Sequence, residues 1–139
     1  MAGRTRVRRS SMFLLELMIA ILFFSVASAV CTQVFLKARE LSLEAEALSE
    51  GICICSNAAE LAAAADSPED AEALLRREYK NMEKKHRKLT VACDNNRVLQ
   101  VENRKENGLY IFDFSYLKPD GTCIYSLELS RFFKEAEEK

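Results

Sequence analysis

The chain has 139 residues, with 20 Lys and Arg against 21 Asp and Glu, a formal net charge of −1. That length holds one domain, and the near-neutral balance argues against bulk electrostatic binding to nucleic acid. The charge is uneven along the chain, however: Arg4, Arg6, Arg8 and Arg9 precede Met12 without an acid among them, and residues 135–139 are mostly acidic.

An apolar run extends from Met12 to about Leu36, interrupted by Glu16 and by the small or polar Ser25, Ser28, Thr32 and Gln33. At a rise of about 1.5 Å per residue it is long enough to cross a hydrocarbon core roughly 30 Å thick. The arginines on its N-terminal side, with Lys37 and Arg39 closing the other end, favour a cytoplasmic N-terminus and an extracytoplasmic C-terminal domain by the positive-inside bias. Two plain readings fit such a run. One is a single-pass anchor carrying a small binding protein. The other is a cleaved secretory signal, because Ala27-Ser28-Ala29 fits the small-residue pattern that follows an apolar segment.

Glu16 distinguishes a third reading. A carboxylate in hydrocarbon costs from about 3 to more than 10 kcal/mol, so it calls for a partner. If a peptidase cuts between Ser11 and Met12, the new ammonium of Met12 lies four residues, or about one helical turn, from Glu16. Glu16 can then pair with that ammonium or with the ammonium of a neighbouring copy. A paired charge is tolerated in low dielectric where a lone one is not, and the pairing would set the axial register between adjacent helices.

These residues resemble the class III signal of type IV pilins and pseudopilins. Ser11 followed by "MFLLELMIAILFFSVASAV" places glutamate at the fifth position counted from Met12, behind the basic leader of Arg4, Arg6, Arg8 and Arg9. Ser11 stands where the family usually has glycine, and Met12 where it usually has phenylalanine. The resemblance implies a leader over residues 1–11 removed by a prepilin peptidase, N-methylation of Met12, and assembly through Glu16 with other pilin or pseudopilin subunits. It also implies a spine helix, lodged in membrane lipid or a filament core over residues 12–36, and an exported head over residues 37–139. The function it implies is that of a minor pilin or pseudopilin in a type IV pilus or a type II secretion-like filament.

Beyond the run, Cys31, Val34, Ala38, Leu41, Ala45, Leu48, Ile52, Cys55, Ala59 and Ala62 recur at spacings of three and four, one stripe of a continuous helix. Glu40, Glu44, Glu46, Glu50 and Glu60 lie between them and predict a wet opposite side. The stripe also runs in heptads, so a two-stranded coiled coil is the competing reading. Gly51 weakens the helix by roughly 1 kcal/mol.

Ser67-Pro68-Glu69-Asp70 is a helix start, with a serine cap, proline at the first position and acids at the positive end of the dipole. A short helix to about Glu83 would bury Ala71, Leu74, Leu75, Tyr79 and Met82. Its end runs into Lys84-Lys85-His86-Arg87-Lys88. Lys84, Lys85, Arg87 and Lys88 could hold an anionic polymer such as wall phosphate or DNA, but a solvated face complementing the dipole is the favoured reading.

From Leu89 the period becomes two. Leu89 to Cys93, Val98 to Val101, Leu109 to Leu117 and Thr122 to Ser130 read as strands. Asp94-Asn95-Asn96, Glu106-Asn107-Gly108 and Lys118-Pro119-Asp120-Gly121 are the turns between them. Tyr110, Phe112, Phe114 and Tyr116 share one face, and Cys123, Tyr125, Leu127 and Leu129 point inward. The predicted fold is therefore α+β: a long N-terminal helix packed on a small four-stranded antiparallel sheet.

Five cysteines are present. Cys53 and Cys55 diverge on a helix and cannot share a metal. In a simple meander Cys93 and Cys123 are three strand spacings apart, beyond disulfide reach, whereas a different strand order would join them. The single histidine, His86, has no nucleophile or acid arranged around it, and no phosphate-binding loop or nucleophile elbow appears. The expectation is a non-enzymatic protein without cofactor or metal.

Overall fold

The computed structural model describes the backbone of residues 2–134 and the side chains of residues 8–134. Arg4, Arg6 and the acidic end of the chain therefore lie outside the described side chains. The chain forms two units, Met1–Glu44 and Ala45–Lys139. A long helix, α1 (Ala2–Ala64), contributes to both. In the first unit α1 is the whole structure, and every described side chain on it is exposed.

The second unit holds the last turns of α1, a short helix α2 (Pro68–Glu78) and five strands: β1 (Glu83–Lys85), β2 (Lys88–Ala92), β3 (Val98–Glu106), β4 (Leu109–Leu117) and β5 (Cys123–Arg131). The strands form one antiparallel meander in the order β1-β2-β3-β4-β5. This is the expected α+β layout with one strand more than the sequence predicts. β1 and β2 form a hairpin within the basic run, so α2 ends at Glu78 rather than near Glu83.

The helix start at α2 is as expected. The Ser67 hydroxyl accepts the Asp70 N–H at 3.0 Å, and the Asp70 carboxylate accepts the Asp66 N–H at 3.2 Å. These two bonds satisfy amides that the helix itself leaves without partners.

Each strand turns its alternate residues to the helices. Leu89, Val101, Phe114 and Leu127 form one cross-strand row, and Val91, Leu99, Tyr116 and Tyr125 the next. These rows pack against Cys55, Ala58, Ala59 and Ala62 of α1 and against Ala71 and Leu75 of α2. On the other face, Lys88 pairs with Glu102 at 3.7 Å, and Arg104 reaches Asp113 at 3.6 Å and Glu128 at 3.1 Å. Asn107 and Gly108 both have positive φ, 52° and 82°. This is the two-residue turn that matches the twist of a hairpin.

The buried face of α1 keeps Cys55, Ala59 and Ala62 of the expected stripe and departs from it before them. Ala47, Gly51, Cys55, Ala58 and Ala62 are buried, whereas Leu41, Leu48 and Ile52 remain 54, 42 and 42 % exposed. Before Cys55 the buried side falls one residue from the large apolar side chains, on Ala47 and Gly51 in place of Leu48 and Ile52. The sheet supplies the bulk, through Phe112, Phe114 and Tyr116, and close packing then leaves room only for small residues on the helix.

Candidate functional site

Arg8–Ala64 is a helix long and apolar enough to cross a membrane. Three of its polar residues are satisfied internally. The hydroxyls of Ser25, Ser28 and Thr32 donate to the carbonyls of Ile21, Phe24 and Ser28 at 2.8, 2.8 and 2.9 Å, so their presence in an apolar segment costs little. Glu16 is different. It is the one charged residue between Met12 and Leu36, and among the described residues it has no ion-pair partner. Four residues separate it from Met12, which puts both on one face of α1. The Ser11–Met12 bond lies inside continuous helix. Past the span, Lys37 and Glu40 pair at 2.9 Å on an exposed surface, which raises the ammonium pKa and lowers the carboxyl pKa, chiefly through their hydrogen bond.

In the second unit three contacts fix α1 to the sheet. The first is steric: Gly51 lies over the ring of Tyr116, where a side chain would collide. The second is ionic. Glu50, expected on the wet side, turns inward and pairs with Arg97, and both side chains are half-buried or better. The Tyr116 hydroxyl lies beside this pair, buried and without an aligned hydrogen bond. Burial pushes its pKa up to about 12. Arg97 opposes that rise, while the Glu50 carboxylate adds to it. The third is a cap. Arg131 of β5 donates to the carbonyls of Ala62, Ala63 and Ala65 at the end of α1, and its guanidinium lies 5.0 Å from the Phe133 ring centroid. The last turn of α1 has no basic residue of its own, so a distant strand supplies the cation that complements the dipole.

Of the basic run, Lys84 is bound to Glu72 of α2 at 2.8 Å and Lys88 to Glu102. Lys85 lies on β1, and His86 and Arg87 form the hairpin turn, with His86 at φ 56°. The run is thus a folded hairpin and not the flexible tail of a helix.

All five cysteines are free thiols. Cys93 follows β2 and Cys123 begins β5, with β3 and β4 between them. Cys55 is buried, which raises its thiol pKa to about 11.

The structure brings Met12 and Glu16 to one helix face and ties half of the basic run to acids. Sequence reasoning missed the anchoring roles of Glu50, Arg97, Tyr116 and Arg131. Cys123, expected inward, is exposed where the β4–β5 register slips, but one signal was available: Arg131 continues the inward parity of Tyr125, Leu127 and Leu129, so a charge on that parity required a partner. No family model matches the chain, and neither a curated protein nor a solved structure matches it.

Proposed function

We propose that this protein is a pilin-like structural subunit, a minor pilin or pseudopilin, without catalytic chemistry of its own. It waits in the membrane by α1, loses residues 1–11 to a prepilin peptidase, and joins sister subunits in a short filament of the type IV pilus or type II secretion kind. The observation that carries this reading is Glu16. It is a carboxylate without an ion-pair partner among the described residues, in the otherwise uncharged stretch 12–36 of α1, one turn beyond the Ser11–Met12 bond. A cationic chain end made by cleavage, on this chain or on a neighbour, offsets the cost of burying it. The exposed Leu41, Leu48 and Ile52 continue the apolar surface beyond the span, as expected of a spine that packs on other spines.

The test is mass spectrometry of the mature chain recovered from membranes of cells with an active prepilin peptidase. A chain starting at N-methylated Met12 is expected. A start at Met1 would replace this reading with a simple anchor, and a start at Val30 with a secreted protein.

A further inference from the structure

After β5 the chain turns onto the helix-facing side of the sheet. Phe133 is 7 % exposed. Its ring meets Tyr110 edge-on at 5.4 Å and Phe112 at 6.4 Å between centroids, and the Arg131 guanidinium lies 5.0 Å from it. Tyr110 and Phe112 are also the β4 wall of a half-open cleft of about 310 Å³, whose far side is made by Lys84 and by His86 and Arg87 of the β1–β2 turn. Phe133 therefore delivers the chain to the edge of this cleft. Residues 135–139, Glu135-Ala136-Glu137-Glu138-Lys139, lie outside the described residues.

The far side carries more cation than its own acids answer. Glu72 is the one carboxylate in the described lining. It is shared between Lys84 at 2.8 Å and Arg76 at 3.4 Å, and Arg87 has no ion-pair partner among the described residues. Lys105 is engaged with the Tyr110 ring, 5.1 Å from its centroid. The place of Arg87 is fixed by the fold: the Asn103 N–H of β3 donates to its carbonyl at 3.3 Å. Arg87 thus stands two strand spacings from β4, about 10 Å. The four steps from Phe133 to Glu137 span up to about 13 Å when extended, which is enough.

We propose that the acidic segment 135–139 of this same chain covers the cleft, running on from Phe133 past Tyr110 to the β1–β2 turn, with the carboxylates of Glu135 and Glu137 towards Arg87. In an extended continuation those two residues repeat the parity of the buried Phe133, whereas the exposed Lys134 sets the opposite parity. Three glutamates against one lysine in the segment match the cationic side in sign. A single exposed ion pair contributes little, but Phe133 already anchors the segment beside its partner, so little further ordering is needed. The strap ties the end of β5 to the opposite edge of the sheet and neutralises Arg87 from within the chain, which closes the basic turn to anionic partners. It is independent of filament assembly, because none of its residues belongs to α1.

The experiment is NMR of the ¹³C,¹⁵N-labelled full chain in neutral dodecyl maltoside micelles at about 0.01 M and about 1 M salt, between which the screening length falls from about 30 to about 3 Å. At low salt, nuclear Overhauser contacts are expected from the side chains of Glu135 and Glu137 to Tyr110 and Arg87. High salt and Arg87→Gln should each weaken them roughly two- to fivefold, the range for an exposed ion pair. The Glu135→Gln/Glu137→Gln/Glu138→Gln variant should shift the amides of Arg87 and Asn103 and leave those of α2 in place. Should Arg87→Gln disturb the turn, this tail variant carries the test, since it alters nothing in the folded head. Absence of these contacts at low salt, or contacts indifferent to salt and to both variants, would overturn the proposal. So would contacts that arise between copies in a mixture of labelled and unlabelled chains, which would give the cleft to a second copy.

Discussion

Gly51 of α1 lies directly on the ring of Tyr116 of β4: a Cβ at position 51 would stand 2.7 Å from Cδ1 of that ring and 3.3 Å from Cγ. Helix propensity alone says that Gly51→Ala stabilises by about 1 kcal/mol. The contact reverses the sign, because Tyr116 is fully buried and its ring cannot swing aside. Gly51→Ala should destabilise the head by about 1–3 kcal/mol, the range for overpacked cores. In a Tyr116→Leu background the same change should cost clearly less. Urea unfolding of the four proteins in neutral micelles checks both statements.

Arg131 caps a helix from 66 or more residues away in sequence. Arg131→Met keeps an unbranched side chain but removes the guanidinium from the Phe133 ring and leaves the last carbonyls of α1 without their cation. A loss of about 1.5–3 kcal/mol is expected, the range for hydrogen bonds to a charged group. Amide exchange should accelerate first in the last turn of α1, and Arg131→Lys should restore part of the loss.

His86 adopts φ 56° in the β1–β2 turn, a conformation that costs a side chain roughly 1–2 kcal/mol and glycine almost nothing. His86→Gly should therefore stabilise the hairpin by about 1 kcal/mol or somewhat less, since glycine also loosens the unfolded chain. A higher melting temperature is the expected reading, and a lower one would show that the imidazole itself supports the turn.

Tyr116 and Cys55 predict an alkaline limit. Burial raises Tyr116 from an ordinary value of 10.0 to about 12 and Cys55 from 9.0 to about 11. A group whose pKa is raised on folding contributes stability that is complete below its unfolded pKa and is lost as pH rises through the folded value. Head stability should fall from about pH 9 towards pH 12. Tyr116→Phe should remove the part of the decline above pH 10 and leave the thiol's part in place, as followed by denaturant midpoints across that range.

Glu16→Leu separates assembly from anchoring. The substitution makes α1 more apolar, so membrane insertion should be unchanged, while co-assembly with sister subunits should be lost. Fractionation and crosslinking in cells expressing the partner subunits read the two independently. Assembly at the level of the unchanged protein would count against the proposed pairing.

Much of the fold was legible because its causes are local. The α2 start follows from Ser67 and Pro68, the β3–β4 turn from Asn107-Gly108, and strands β2 to β5 from their period-two pattern. β1 was not legible. It is an edge strand with all three residues, Glu83, Lys84 and Lys85, exposed, so no buried face imprints an apolar alternation on it. β3 likewise runs on to Glu106, past its last buried residue Val101, where polar composition hides the ladder.

By itself, the sequence determined what depends on neighbours along the chain: an apolar span, a lone acid one turn from Met12, and the order of helices, strands and turns. Only the tertiary structure decided which side of α1 faces the sheet before Cys55, that Glu50 turns inward to Arg97, that Arg131 closes α1, and that the basic run folds into a hairpin at the sheet edge. These outcomes depend on which side chains meet across the fold. The bulk of Tyr116 on one element and the smallness of Gly51 on another have meaning only when the two are in contact, and no periodicity within either segment records it.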